Sequence, residues 1–269
     1  MLAENKRHRC EDRKFTKDVN GASFVNYIFT RLVAKEKVFN RVDFRYCIFD
    51  SCYLRDCNFI RCDFTGCRFQ STSFHGSKFS GCTFPYATFK KTIISDEILV
   101  SQAPDYENQK AKFARTLRMN YQQLGEAESV NKAIRIELEA TRTHLFEAWY
   151  SKKSYYRKKY RGSKRVGSFF KWAWFDCLHF LWGNGESVGR LTVSLIFLFC
   201  MMAVYHAFQV GNPQEIRSYW DGIRVAPEVF LGAKSFPQYS NWYLSLAAFL
   251  RLTLVAALIS ILIKRFSRR

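Results

Sequence analysis

The sequence lacks the side-chain groupings that usually mark an enzyme or a metal site. It contains no CxxC pair, and His75 is the only histidine that lies among its regularly spaced cysteines. Structural zinc sites need four nitrogen or sulfur ligands, so we expect neither a metal nor a cofactor. A phosphate-binding loop and a nucleophile–base pair are also missing, and we therefore expect no catalytic residue and no enzymatic activity.

Acidic residues are scarce, with 23 Asp and Glu against 42 Lys and Arg and a formal net charge of +19. Residues 151–171 hold nine basic residues and no acidic one. The polar, charged N-terminal residues also lack the apolar stretch of a signal peptide. We therefore expect the chain up to about residue 165 to stay in the cytoplasm.

Two long apolar stretches lie in the C-terminal third, at residues 191–210 and 242–263. Each reaches the ~20 residues needed to cross a bilayer. Basic residues flank the pair, whereas three basic and three acidic residues balance each other between them. The positive-inside rule then predicts a multi-pass protein of the bacterial inner membrane with both termini in the cytoplasm.

Apolar residues recur every fifth position from Phe39 to Ile94, and a small residue lies two positions before most of them. A period of five fits neither a helix nor a flat strand. It fits a square coil in which each pentapeptide forms one side and directs two side chains inward. The five-residue spacing of Cys47 to Cys67 belongs to this pattern, so we expect those thiols to be buried and reduced. The predicted core positions are Phe44, Phe49, Leu54, Phe59, Phe64, Phe69, Phe74, Phe79 and Phe84.

Over residues 22–96 the chain resembles the pentapeptide-repeat family, whose right-handed quadrilateral β-helix uses four repeats per coil. The resemblance implies that Phe44 stacks under Phe64 and Phe64 under Phe84, about 4.8 Å apart. Such a solenoid provides faces for a protein partner, although it could also serve only as a spacer or an assembly block.

Residues 101–165 contain two helical patterns separated by Gly125, which predict a helical hairpin. The segments FARTLRMNYQQLGEAESVNKAIRIELEATR and LHFLWGNGE resemble linkers that join pentapeptide repeats to channel-like membrane modules. Glu137 and Glu139 suggest an acid/base pair, but a solvated helix face that pairs with Arg135 and Arg142 explains them better.

The basic run after the hairpin directly precedes an aromatic segment, residues 166–186, which predicts a helix at the membrane surface. Anionic membrane lipids are therefore the favoured partners, and we expect no binding of nucleic acid. The lipid-binding candidates are Lys152, Lys153, Arg157, Lys158, Lys159, Arg161, Lys164 and Arg165.

The two apolar stretches and the 30 or so residues between them resemble two-span potassium-channel subunits, arranged as helix, pore loop, helix. The resemblance implies a homo-oligomer, with a tetramer favoured. A short helix is expected at about residues 218–231, followed by filter candidates of which only the glycine matches the family pattern. We therefore expect no potassium selectivity, and a ring of lysines would favour anions. The candidates are Phe230, Leu231, Gly232, Ala233 and Lys234.

Arg251 lies nine positions into the second apolar stretch, roughly 13 Å along a helix. A charge at that depth needs protein, water or an acidic partner, and Asp221 and Glu228 are the candidates. A span that begins later, with Arg251 directed to the interface, is the alternative.

The sequence thus predicts a multidomain membrane protein: a pentapeptide-repeat β-helix, an α-helical hairpin and two transmembrane helices. The predicted boundaries are residues 1–21, 22–100, 101–165, 166–186 and 187–269. The expected function is an oligomeric channel-like membrane protein with a cytoplasmic sensing or assembly domain. The alternatives are a non-conducting membrane-anchored scaffold or binding protein and a membrane-perturbing effector of a bacterial defence system, for instance one against phage.

Overall fold

The structure, a computed structural model, describes residues 7–266. The chain divides into two compact units, the first ending at Phe169 and the second starting at Phe170. Each is described by itself.

The first unit begins with a solenoid of short parallel strands. Three of its sides form sheets with the strand orders β1-β3-β6-β9-β11, β2-β5-β8-β10 and β4-β7, and isolated bridges form the fourth. The strands are β1 His8–Glu11, β2 Val19–Asn20, β3 Tyr27–Thr30, β4 Val33–Lys35, β5 Val38–Asn40, β6 Ile48–Asp50, β7 Tyr53–Arg55, β8 Asn58–Ile60, β9 Arg68–Gln70, β10 Lys78–Ser80 and β11 Thr88–Lys90.

Strand register confirms that the period of five generates a solenoid. Phe49 pairs with Phe69, and Phe39 with Phe59, so each coil advances the chain by four pentapeptides. Corner residues take the left-handed conformation, as at Arg31 with φ of 54° and at Gly66 with φ of 69°. The solenoid has about four turns and is followed by a helical region, which is the predicted order.

The solenoid begins earlier than the sequence predicts, at His8 rather than at residue 22, within the segment 1–21 that was assigned no repeat. Cys10 pairs with Phe29, a separation of 19 residues, whereas Val19 pairs with Phe39 at 20. The first coil is therefore one residue short between Phe15 and Val19. This deletion interrupts the period of five and hides the first coil from a search for the repeat.

Phenylalanine rings fill the centre of the solenoid. Phe44 stacks on Phe64 with ring centroids 5.2 Å apart, and Phe64 on Phe84 at 4.9 Å. Of the expected core residues, Phe79 is partly buried. The others are buried: Phe44, Phe49, Leu54, Phe59, Phe64, Phe69, Phe74 and Phe84.

The small residues two positions before each central residue also point inward, and most of them form a side-chain hydrogen bond. Each thiol or hydroxyl donates to the carbonyl oxygen of the central residue 23 positions earlier, as from Cys67 Sγ to Phe44 O over 2.9 Å. A small donor at this position gives a buried carbonyl a hydrogen-bond partner, and at Phe44 O it adds to the bond from Cys47 N. The donors are Cys47, Cys52, Cys57, Cys62, Cys67, Thr72, Ser77 and Cys82.

Helices close the C-terminal end of the solenoid. They are α1 Ile98–Ser101 and α2 Glu107–Leu124. Asn120 on α2 accepts from the backbone N–H of Thr92 at 2.7 Å and donates to its carbonyl at 2.8 Å. The Asn120 side chain thus bonds the N–H and the carbonyl of Thr92 as a further strand would. This keeps these edge groups of the last coil from pairing with other chains.

The helix α3 Ala127–Tyr150 packs against α2 as a hairpin, and α4 Ser154–Lys159 follows it. Glu137 on α3 accepts from Arg115 Nε and Arg118 Nε on α2, each at 2.8 Å. The sequence suggested Arg135 and Arg142 on the same helix as partners for this helix face. The contacts from Arg115 and Arg118 join α3 to α2 across the hairpin.

The second unit is helical. Its elements are α5 Ser163–Trp182, which begins in the first unit, α6 Val188–Gln209, α7 Ile216–Leu231 and α8 Asn241–Phe266. Among the described residues, α6 and α8 are each long and apolar enough to cross a membrane. They run in opposite directions. Tyr205 near the end of α6 stacks on Tyr243 near the start of α8, with ring centroids 4.0 Å apart, and Leu191 near the start of α6 packs with Ala257 and Ile261 of α8.

Candidate functional site

The helix α7 packs closely along the second half of α6. Gly222 permits this approach, since a Cβ atom there would lie 2.8 Å from Ala203 Cα. Small residues that allow helix backbones to approach each other are typical of packing between apolar helices. Gly222 and Ala203 thereby determine where α7 lies against α6.

The C-terminal end of α7 reaches the middle of both long apolar helices. Phe230 packs edge-on against Phe199, near the midpoint of α6, with ring centroids 5.6 Å apart. Leu231, the last residue of α7, accepts a hydrogen bond from Arg251, near the midpoint of α8. The helix α7 therefore enters at one end of the α6–α8 pair and stops halfway.

Arg251 binds a backbone carbonyl in place of the acidic partners expected from the sequence. Its Nη1 donates to Leu231 O over 2.6 Å. Glu228 instead lies 3.6 Å from Lys234, and Asp221 is exposed on α7. A cation at a helix C-terminus also interacts favourably with the negative end of the helix dipole.

The five filter candidates form the last two residues of α7 and the C-terminal cap that follows them. Gly232 adopts φ of 78°, its N–H donates to Val229 O, and the N–H of Ala233 donates to Glu228 O. A Cβ atom at Gly232 would lie 2.7 Å from Arg251 Nη1, so the glycine also makes room for the guanidinium. Phe230 is buried, and Lys234 lies against Glu228 and the Phe236 ring. Nothing in residues 7–266 identifies this cap as an ion filter.

After the cap, the chain returns to the end of α6 through an aromatic cluster. Phe236 lies 5.1 Å from the His206 ring, and the Tyr239 hydroxyl is 2.7 Å from His206 Nδ1. Residues 216–240 therefore run inward as a helix and return as a loop.

The basic segment after α3 is a second candidate site, and its side chains fall into two groups. Several of them stabilise the hairpin rather than remaining free for a ligand. Arg157 donates to Ala148 O at 2.8 Å, and Arg165 to Trp149 O at 2.7 Å, so both cap α3. Lys153 pairs with Glu147.

Lys159 lies over the rings of Tyr155 and Tyr160, and Arg161 donates to Arg157 O at 3.1 Å. Lys152, Lys158 and Lys164 are exposed and remain the best candidates for contact with anionic lipid. Among residues 7–266, no group of three or more His, Cys, Asp or Glu side chains could hold a metal ion.

Sequence reasoning missed the residues that close the solenoid. Besides Asn120, Thr116 accepts from Phe89 N at 3.1 Å and Gln123 from Lys91 N at 3.2 Å. A signal was present, because Thr116, Asn120 and Gln123 follow at intervals of four and three beside the apolar residues of α2.

Comparison with known proteins identifies the solenoid alone. The family model described as pentapeptide repeats (8 copies) matches residues 38–76, 47–84 and 57–96. A search of curated proteins found no match. Among solved structures, trypsin-treated QnrB1, described as a plasmid-mediated fluoroquinolone resistance protein, is 9% identical with a TM-score of 0.20. That match covers 34% of this chain and 64% of QnrB1. The chain therefore carries a pentapeptide-repeat β-solenoid domain, followed by a helical region with two long apolar helices.

Proposed function

We propose that the chain is an oligomeric, channel-like membrane protein with its solenoid in the cytoplasm. In this proposal α6 and α8 cross the bilayer, and α7 enters it and turns back at mid-depth. The observation that carries the proposal is the hydrogen bond from Arg251 to Leu231, near the middle of α8. Basic residues in α4, α5 and the end of α8 orient both termini toward the cytoplasm.

A helix that ends at mid-depth of the bilayer costs free energy, because its last carbonyls and the following turn are polar and lie in lipid. Such irregular backbone is tolerated in a membrane where protein buries it or where it lines a water-filled cavity. Arg251 satisfies Leu231, but Glu228 and Lys234 of the same turn are exposed. Further copies of the chain around this turn would provide both the protein contacts and the water-filled path.

The pore proposed here is not selective for potassium. Selective potassium filters use rings of backbone carbonyls. In this chain the Leu231 carbonyl already accepts from Arg251, and in the proposed ring of copies Lys234 would lie beside the path. Glu228 offsets part of the lysine charge, so weak discrimination or a modest preference for anions follows.

The solenoid is proposed to bind a protein partner or to organise assembly. Its interior is filled by phenylalanine, and its outer surface carries charged and polar side chains, such as the Arg45–Asp43 pair. Repeat solenoids use such extended faces for binding.

Ion flux through purified protein tests the proposal. In planar bilayers we expect current that does not favour K⁺, and Lys234→Glu should shift the reversal potential toward cations. Lys171→Glu, on the exposed side of α5, is the matched control and should leave the reversal potential unchanged. Absence of current from an intact oligomer under every condition would contradict the channel.

A membrane-anchored scaffold is the second candidate, and the ion pair between Lys234 and Glu228 favours it. Together with the bond from Arg251, this pair satisfies the α7 turn within one chain, so no pore is needed to stabilise it. The mass of the particle in mild detergent separates the two functions. A monomer that passes no current supports the scaffold, whereas a ring of four or more copies supports the channel.

A further inference from the structure

An apolar groove follows the line between α6 and α8. It consists of three adjoining cavities, of which the one nearest the start of α6 has a volume of about 280 Å³. Leu198, Met201 and Leu250 line both the first and the second cavity, and Tyr205 and Tyr243 line both the second and the third. The groove is therefore continuous along the helix pair.

The first cavity ends at the turn between α5 and α6, where a polar group lacks a partner. Trp182 lines this cavity, and its indole Nε1 is buried without a hydrogen bond among the described residues. A buried N–H donor without an acceptor costs free energy. An acceptor from a bound molecule would remove that cost.

Basic side chains lie at the same end of the cavity. Arg190 directly precedes Leu191, which lines the cavity, and its Nη1 donates to His179 O over 2.7 Å. A Cβ atom at Gly185 would lie 2.9 Å from Lys264 Nζ, so the end of α8 reaches the same turn. Glu186 is the acidic residue in this turn. The two cations bring positive charge to the mouth of the cavity, and Glu186 offsets part of it.

We propose that this cavity binds one acyl chain of an anionic phospholipid, with the phosphate at Arg190 and Lys264. An ester or phosphate oxygen accepts from Trp182 Nε1. Guanidinium offers five N–H donors, so Arg190 can bind a phosphate while it still donates to His179. The inference rests on the proposed membrane insertion of α6 and α8, and it assigns a ligand that the proposed function does not.

The length of the first cavity favours a lipid chain over a helix of a second copy. Its lining on α6 runs from Leu191 to Met201, ten helical steps or roughly 15 Å. That is about half of the ~30 Å hydrocarbon core, the depth that a lipid of one leaflet occupies. A neighbouring helix would extend over all three cavities, whereas the basic side chains and the buried Trp182 Nε1 lie at the first.

Native mass spectrometry of the full chain in neutral detergent tests the site. Dioleoylphosphatidylglycerol and dioleoylphosphatidylcholine, which share their acyl chains, serve as the anionic and zwitterionic probes. We expect bound phosphatidylglycerol and a higher Tm with that lipid, and neither effect with phosphatidylcholine. Arg190→Gln should weaken phosphatidylglycerol binding about tenfold or more, as expected for loss of a charged hydrogen-bond donor.

Matched variants test both halves of the site. Thr253→Phe fills the cavity from an exposed position and should reduce lipid binding, whereas Leu252→Phe, exposed beside it, should not. Arg224→Gln, on the exposed side of α7, is the control for charge.

Three results would overturn the lipid site. The first is equal binding of phosphatidylglycerol and phosphatidylcholine. The second is an equal loss of phosphatidylglycerol binding in Arg190→Gln and Arg224→Gln. The third is a smaller particle mass in Thr253→Phe while lipid binding stays intact. The last result would assign the groove to a second copy. Release of the parent protein from membranes by alkaline carbonate would contradict the proposed membrane insertion instead, which distinguishes the two failures.

Discussion

Arg251 in α8 donates a hydrogen bond from Nη1 to the carbonyl oxygen of Leu231, the last residue of α7, over 2.6 Å. Hydrogen bonds to charged groups contribute about 1.5–3 kcal/mol. Arg251→Met should therefore lower the Tm of the purified protein and speed the labelling of a cysteine introduced at Ala233. Arg224→Met, an exposed arginine of α7, is the control. If Arg251→Met matches the parent in both Tm and labelling rate, the bond does not hold α7.

Asn120 joins α2 to the last coil through two buried hydrogen bonds to Thr92. Asn120→Ala leaves the N–H and the carbonyl of Thr92 without partners, at a cost of about 1–3 kcal/mol for each group. We expect faster hydrogen exchange over residues 88–94 and a lower denaturation midpoint. Gln123→Ala is the matched control, because the Lys91 N–H that it frees lies at the surface. Equal effects of the two variants would show that α2 does not act as the cap.

Cys47 and Cys52, in the core of the solenoid, should resist alkylation in the folded protein. Burial raises the pKa of Cys47 to about 12 and that of Cys52 to about 11. Because the thiolate is the reactive form, nearly all of these thiols stay protonated and unreactive at pH 8. Mass spectrometry after brief treatment with N-ethylmaleimide should find the exposed Cys177 modified first. Labelling of Cys47 and Cys52 at the rate of Cys177, in folded protein, would contradict the burial of these two thiols.

The contact between α3 and α4 should weaken in acid. The His144 ring lies 3.2 Å from the Tyr156 hydroxyl and 3.3 Å from the Tyr160 hydroxyl. Burial and then the charge of Lys159 lower the pKa of His144, and Glu147 raises it by less. Since the folded pKa lies below the unfolded one, the stabilisation is complete above the unfolded pKa of about 6.5. It is lost as the pH falls through the folded pKa.

Hydrogen exchange over residues 144–160, compared at pH 7.5 and pH 5 after correction for the intrinsic rate, measures this effect. His144→Gln should remove the pH dependence, because glutamine does not titrate in this range. His75→Gln changes an exposed histidine and should leave it intact. An unchanged pH dependence in His144→Gln would assign the titration to another group.

The central rings of the solenoid could be predicted from the sequence because their pattern is local. Phe44, Phe64 and Phe84 each occupy the same place in a pentapeptide. Each further coil therefore adds one ring to the same stack. The first coil could not be predicted, since the four-residue step from Phe15 to Val19 breaks the period. Only pairing with the next coil shows that Cys10 lies beside Phe29.

The apolar helices were evident in the sequence for a similar reason, because length and composition are properties of a continuous segment. The partner of Arg251 was not evident in the sequence, because it depends on the position of α7 in the folded protein. Close contact of Gly222 with Ala203 places α7 along α6, and this packing brings Leu231 rather than a carboxylate to the guanidinium. Sequence by itself determined the repeat, the hairpin pattern and the two long helices, since each follows from neighbouring residues. The tertiary structure decided the cap, the depth of α7 and the groove beside Trp182, since each depends on contacts between residues far apart in the chain.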